Sequence, residues 1–282
     1  MEKEEIDNIA LDLLIEAIYR RYGHDFRGYS KSHIRRRIKQ YVERRKDGCI
    51  ATLIPDILHD EVLFESLLHE LSITVTEMFR DPFVFRKLRQ EVIPFLRTFP
   101  FIRIWVAGCA TGEEAYSLAI MLKEEGLYDR TTIFATDFND AALEKARTGV
   151  YAVEALRKYA ANYLQAGGTG SFSDYYHAKY DAAAIAPALK NNVVFANHNL
   201  VTDGVFSDIH LVFCRNVMIY FERELQNRVL GVFTESLVHG GFLCLGSNED
   251  ILFSDDWHSY RSIDGPARIF QRLAVRNLPD LF

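Results

Sequence analysis

The sequence predicts an α/β protein: a doubly wound, mostly parallel sheet with an antiparallel edge, preceded by a small all-α domain and interrupted by a small β excursion. Three observations predict it. From Ile102 onward, short apolar runs rich in β-branched residues alternate with amphipathic stretches, the order that builds a parallel sheet. The first of those runs stops at a glycine turn that opens a helix. Residues 1 to about 70 show helical spacing and few strand signals.

In the helical part, Ile6, Ile9, Leu13 and Ala17 form one apolar stripe, and Ile57, Leu58, Phe64, Leu67, Leu68 and Leu71 form a later one around Pro55. A helix from about Ser30 to Lys46 lies between them, with Ile34, Ile38, Tyr41 and Val42 as its stripe. Arg35, Arg36, Arg37, Lys39, Arg44 and Lys46 crowd its other faces, and only Glu43 offsets them. In a chain of net charge −6, that concentration is expected to attract an acidic partner, against the plainer reading of a solvated face. Arg45 falls over the apolar stripe, where its stem is expected to pack.

Residues 73–101 read as a linker and a lead-in helix. Asp81-Pro82 is expected to start that helix, with Asp as cap and Pro at its first position. Thr74, Thr76 and Arg80 precede it as polar groups in a connecting segment. The first strand, Ile102 to Val106, ends at Ala107-Gly108, and Glu113 and Glu114 then fall in a first helical turn, where the helix dipole favours carboxylates. Ala115, Leu118, Ala119 and Leu122 continue that helix.

Gly108 and Gly112 let a backbone pass close to a ligand, although the same pattern serves a plain tight turn. A dinucleotide turn is usually G-x-G-x-x-G, and its helix N–H groups hold a pyrophosphate. Here the pattern is G-x-x-x-G-E-E, whose carboxylates suit a ligand with hydroxyls, an amine and a positive centre, such as S-adenosylmethionine. The second strand, Thr131 to Asp137, ends in an acid placed to accept from both hydroxyls of a ribose, or to cap the helix Ala141 to Arg147.

Gly167 to Tyr180, rich in glycine, serine and tyrosine, breaks the rhythm and predicts a loop with a small antiparallel excursion. Val193 to Phe195 and Ile209 to Cys214 are strands running into Asn197-His198-Asn199-Leu200 and Arg215-Asn216. Leu225 to Val238 is an amphipathic helix, Gly240-Gly241 turns into the strand Phe242 to Leu245, and a closing pair around Ile251 to Trp257 and Ala267 to Phe270 supplies the antiparallel edge.

The expected domains are thus 1–72 (helical, with the basic helix), 73–101 (linker and lead-in helix) and 102–282 (the sheet domain, with a β-subdomain at about 167–187). With 282 residues, 49% of them hydrophobic, the chain can bury a large core. No apolar run approaches the roughly 20 residues of a membrane span, so no direct membrane insertion is expected. The start, MEKEEIDNIA, lacks the basic-then-apolar order of a signal peptide and predicts a cytoplasmic protein. Cys49, Cys109, Cys214 and Cys244 form no C-x-x-C pair and the histidines no cluster, so reduced thiols and no metal are expected.

Taken together, T-V-T-E-M-F-R at Thr74 to Arg80, G-C-A-T-G-E-E-A-Y-S from Gly108, A-T-D-F at Ala135 to Phe138, N-L at Asn199-Leu200 and F-C-R-N-V-M-I-Y-F at Phe213 to Phe221 closely resemble the chemotaxis receptor methyltransferase family, CheR. The likeness covers nearly the whole chain. It implies a sheet domain of the S-adenosylmethionine-dependent methyltransferase type. It also implies methylation of glutamate side chains on chemoreceptor cytoplasmic helices to γ-glutamyl methyl esters, leaving S-adenosylhomocysteine.

Carried over residue by residue, the resemblance places cofactor contacts on Thr74, Thr76, Arg80, Glu113, Asp137, Asn199, Leu200, Arg215 and Asn216, beside the glycine turn at Gly108. Arg80 would hold carboxylates, and Tyr220 would orient the attacking oxygen unless it is simply a buried tyrosine with a satisfied hydroxyl. The family usually has Asn where this chain has Thr74, Phe where it has Met78 and Pro where it has Ala115. Arg35, Arg36 and Lys39 are the expected receptor contacts.

Two rival readings stand beside this one. One is a CheR-like regulatory module that binds S-adenosylmethionine or S-adenosylhomocysteine without receptor methylation. The other is a nucleic-acid methyltransferase, opposed by the acidic net charge and by the lack of an N-P-P-Y-type loop. A monomer that binds no nucleic acid is expected.

Overall fold

The computed structural model describes residues 3–46, 48–72 and 74–274. The chain divides into two compact units: Met1–Ile73 with Tyr220–Gln226, and Thr74–Ile219 with Asn227–Phe282. Residues 275–282 of the expected sheet domain lie outside the described residues.

The first unit is helical: α1 (Lys3–Tyr22), α2 (Lys31–Arg45), α3 (Ile50–His59) and α4 (Glu61–Leu71). The stripe expected on α1 is a correction. Ile6, Ile9 and Leu13 are exposed, and Leu11, Leu14, Ile15 and Ile18 are the buried set. Both sets recur at helical spacing, so periodicity alone could not choose between them; packing against α3 does. On α2 the expected residues are buried: Ile34, Ile38, Tyr41 and Val42. Tyr22 stacks on Phe64 at 3.8 Å between ring centroids and donates to the Ile57 carbonyl at 2.6 Å, joining α1 to α3 and α4. Asp60 caps α4, accepting from Leu63 N at 3.0 Å. The later segment Tyr220–Gln226 returns to this unit. Ser30 N donates to Tyr220 O at 2.9 Å, Glu222 N donates to Gly28 O at 2.8 Å, and Tyr29 bridges Phe221.

The second unit holds a seven-stranded sheet formed by β1 (Ile102–Ala107), β2 (Thr131–Asp137), β6 (Val193–Asn197), β7 (Ile209–Cys214), β8 (Leu237–Leu245), β9 (Tyr260–Asp264) and β10 (Ile269–Arg272). Their order is β6-β2-β1-β7-β8-β10-β9, parallel from β6 to β8 and antiparallel at β10 and β9. The helices are α5 (Pro82–Lys87), a π turn (Leu88–Val92), α6 (Ile93–Leu96), α7 (Glu113–Glu124), α8 (Asp140–Thr148), α9 (Val153–Gln165) and α10 (Arg223–Ser236), the last beginning in the returning segment. A second antiparallel sheet, β3 (Val150–Ala152), β5 (Ala182–Ile185) and β4 (Tyr176–Lys179), carries β5 in its middle. β1, β7 and α7 are buried almost throughout, as a parallel sheet covered on its faces requires.

Four further expectations are corrected. The antiparallel edge exists but is built from β9 and β10, while Ile251 to Trp257 is a run of turns. Gly240 and Gly241 lie inside β8, where its register against β7 shifts, because glycine tolerates an irregular strand as readily as a turn. Asp81 stands at the N-cap of α5 as expected, but its side chain makes no cap hydrogen bond. It sits at φ +54° with its carboxylate 2.5 Å from Arg215 Nη2, a charged partner outcompeting backbone N–H groups, although Pro82 does open the helix. The β excursion takes its third strand, β3, from before the expected 167–187 segment, and the helix α9 stands where the sequence pattern predicts no element.

Candidate functional site

The strand order reverses at β1, so the carboxyl ends of β1, β2 and β7 open on a switch point, where open α/β sheets bind ligands. β1 runs into Gly108 at φ +73°, and Gly112 precedes α7 at φ +92°. A Cβ on Gly108 would stand 2.4 Å from Val217 Cγ2, and one on Gly112 2.9 Å from Ala146 Cβ, so both the conformation and the close packing demand glycine. Gly108 N and Cys109 N both donate to Thr136 O at 2.8 Å, fixing the turn to the end of β2.

Asp137 closes β2. Its Oδ2 accepts from Ala110 N at 2.9 Å and its Oδ1 from Asn139 N at 3.0 Å. The cap of α8 is Asn139, which accepts from Ala142 N at 3.0 Å. Asp137 therefore holds the glycine turn through backbone N–H groups, including that of Phe138, and a carboxylate's roughly four acceptor positions leave room for a further donor. Burial pushes its carboxyl above the usual range against the backbone N–H groups that favour the anion.

Glu113 is 4% exposed. Its Oε2 accepts from Thr111 Oγ1 at 2.6 Å and its Oε1 from Tyr159 at 3.5 Å, while Tyr151 donates to Thr111 O at 2.8 Å. Burial lifts Glu113 to about 7, a rise that the Thr111 hydroxyl opposes. Burial also raises Glu114, against the attraction of Arg215 and Arg80.

Arg215 directly follows β7, with a side chain that is 0% exposed. Nη1 donates to Glu114 Oε1 at 2.9 Å and to Arg80 O at 3.0 Å, and Nη2 reaches Asp81. The guanidinium thus ties the Thr74–Arg80 segment to α7. On that segment Thr74, Thr76 and Arg80 are half-buried, and the departures Met78 and Ala115 are fully buried. Asn162 of α9 donates to Met78 O at 3.0 Å, and Phe79 N donates to Ser117 Oγ at 2.9 Å. Asn199 follows β6 in a turn, its N–H 2.8 Å from Asp203 Oδ2 and its Oδ1 accepting from Val201 N at 2.9 Å; Leu200 beside it is buried. Asn216 adopts φ +58° and leaves its buried Oδ1 without a partner.

Sequence reasoning missed Glu249, which binds the segment after Arg215 and stands in a turn with no motif to mark it. It also missed Tyr151 and Tyr159, because β3 and α9, which carry them, have no strand or helix signal that sequence reasoning picked out.

The structure brings Gly108, Asp137, Arg80, Arg215 and Asn216 into one network of contacts at these strand ends, with Glu113 joined through Thr111. Tyr220, Arg35, Arg36 and Lys39 belong to the helical unit. There Tyr220 lies 4.5 Å from His33 between ring centroids. The basic helix needs a correction, because its offset is not Glu43 alone. Arg35 pairs with Glu4 at 3.2 Å, Lys39 with Asp7 at 2.8 Å and Lys31 with Asp12 at 2.8 Å, all acids of α1; Arg44 pairs with Glu70. The one-dimensional pattern could not show which acids α1 would present. Arg36 Nη2 instead lies 3.3 Å from His33 Nδ1.

Residues 74–265 match the model of the CheR methyltransferase SAM-binding domain, and residues 9–72 that of the CheR methyltransferase all-alpha domain. Cher3 of Pseudomonas putida is 48% identical over 272 residues, covering 96% of this chain and all of that one. The chemotaxis protein methyltransferase of Listeria monocytogenes is 29% identical over 242 residues, 85% of this chain and 89% of that one. Chemotaxis protein methyltransferase 1 of Pseudomonas aeruginosa is 30% identical over 205 residues, 66% of this chain and 70% of that one.

Proposed function

Since the chain belongs to the CheR methyltransferase family, with S-adenosylmethionine as its cofactor, we propose that it methylates glutamate side chains on the cytoplasmic helices of chemoreceptors, forming γ-glutamyl methyl esters. The observation that carries the reading is the convergence of an acid-bearing glycine turn, Asp137 and an unpartnered Asn216 Oδ1 at the carboxyl ends of the central strands. These groups fit the cofactor: an orphaned buried acceptor calls for a ligand donor, and the glycines leave room where a Cβ would collide. Bound there, S-adenosylmethionine supplies a methyl carbon activated by its sulfonium.

The chain's residues then have limited chemistry to perform. A substrate glutamate with an ordinary pKa near 4.3 is ionised at neutral pH, so no general base is required. Asp137 would accept from ribose hydroxyls, Glu113 and Asn216 would meet further donors, and Arg80 would hold a carboxylate. Tyr220 is assigned to the attacking oxygen on the F-C-R-N-V-M-I-Y-F motif that carries it. Alignment of the reacting groups away from water would supply most of the rate, an effect worth several kcal/mol or more.

The test is incubation with labelled S-adenosylmethionine and receptor cytoplasmic fragments, followed by mild base. Label that enters the receptor and is released by base supports the ester. Cofactor binding without transfer would instead favour a regulatory module, and base-stable label a different acceptor.

A further inference from the structure

Glu249 is 4% exposed and lies in the turn after β8, within G-S-N-E, where its own N–H donates to Gly246 O at 2.9 Å. Its Oε1 accepts from Val217 N at 2.9 Å and Met218 N at 2.7 Å. Its Oε2 accepts from Asn216 N at 2.9 Å and Gly246 N at 2.6 Å. A carboxylate offers about four acceptor positions, so these donors nearly saturate it and leave it little capacity to bind a ligand itself. The approach depends on Gly246: a Cβ there would stand 2.6 Å from Oε2 and 2.7 Å from Asn216 N.

Two features tie this clamp to the cofactor site. Val217, held through its N–H, packs where a Cβ on Gly108 would fall, so the clamped segment forms a wall of the glycine turn. Asn216, also held through its N–H, sits at φ +58°, a left-handed conformation that Asn tolerates, with a buried Oδ1 lacking any partner. Free to relax, such an acceptor would turn toward water or a backbone donor.

We infer that Glu249 is a positioning residue for the S-adenosylmethionine site, holding Asn216 in its left-handed conformation so that its side-chain oxygen stays ready for a hydroxyl, amino or ammonium donor of the cofactor. The inference rests on the assignment of Asn216 to that site, and the experiment separates the two.

Cofactor Kd, KM and kcat are measured for Glu249→Gln, Asn216→Gly and the double variant of the full chain. Glu249→Gln replaces one acceptor oxygen by an NH2 that faces backbone N–H groups. Asn216→Gly keeps the positive φ and removes only the side chain. Each single variant is expected to raise Kd and KM for S-adenosylmethionine about tenfold, the scale of one buried hydrogen bond, with kcat at saturation within about twofold. The double variant should be little weaker than either single one, because the two residues act as a unit. Gly246→Ala, which wedges the clamp without changing the carboxylate, should raise KM in the same way and decides the matter if Glu249→Gln does not fold. Unchanged affinity in Asn216→Gly overturns the assignment of Asn216. Weakened binding there with normal affinity in Glu249→Gln, or fully additive losses in the double variant, overturns the positioning role.

Discussion

Asp137 and Glu113 show how residue type and environment divide the labour at the glycine turn. Asp137 already spends one lone pair of each oxygen on Ala110 N and Asn139 N, so Asp137→Asn disturbs the turn as well as any ribose contact. It should weaken S-adenosylmethionine binding by roughly 1.5–3 kcal/mol, the range for hydrogen bonds to a charged group, as calorimetry would show. Glu113 makes a prediction with a definite sign. Its carboxyl is raised from 4.5 to about 7, so the folded chain holds this proton more tightly than the unfolded chain. The stability it contributes is therefore present in full below about pH 4.5 and is lost as pH rises through about 7. Between those limits the wild type should lose about 3 kcal/mol more than Glu113→Gln, since each pKa unit is worth about 1.4 kcal/mol. Denaturant melts across that pH range would measure it, and parallel curves would disprove the assignment. That Asp137 ends a strand was legible in the sequence. That Glu113 is driven to about 7 was not, because burial depends on Tyr151 and Tyr159 arriving from a segment whose fold the sequence did not reveal.

At the scale of elements, the basic face of α2 changes meaning once α1 stands beside it. Lys39 is paired with Asp7, whereas Arg36 lies against a histidine, so their reversals should differ. Lys39→Glu should cost about 0–1 kcal/mol of stability by placing like charges together, a magnitude set by exposed ion pairs. Arg36→Glu should leave the melting temperature unchanged. If α2 steers an acidic receptor, Arg36→Glu should also raise its apparent KM and flatten the salt dependence; a normal KM and salt response would leave this face as solvated surface. Arg45 serves as the control, because its guanidinium lies 5.8 Å from the Tyr41 ring centroid. Arg45→Ala should cost about 1 kcal/mol through lost packing while sparing the receptor KM. Gly112→Ala tests the α7 turn: its Cβ would meet Ala146 at φ +92°, so about 1–3 kcal/mol of stability should be lost in denaturant titration.

At the scale of the whole molecule, the chain assigns its candidate residues to two units, Arg80 to the sheet unit and Tyr220 to the segment that returns to the helices. Tyr220→Phe and Arg80→Ala are expected to differ in kind. The first should lower kcat while cofactor affinity stays near normal, because an orienting contact matters mainly in the transition state. The second should weaken cofactor binding as well. Equal loss of affinity in both variants, read by calorimetry beside steady-state rates, would show that this division of roles is wrong.

The sequence by itself determined the fold class, the boundaries of β1, β2 and β7 and the glycine turn, because each rests on local spacing, while the cofactor followed from the resemblance of its motifs to the CheR family. Only the tertiary structure decided which of two helical stripes on α1 faces the core, that the Asp81 side chain pairs with Arg215 instead of with the first N–H groups of α5, and that acids of α1 offset the cations of α2. It alone placed Glu249 beneath Asn216. These contacts join residues far apart in the chain, and hydrophobic periodicity and capping preference weigh only neighbours. A buried charge takes whichever partner the fold brings within reach, and the order of residues along the chain does not specify that partner.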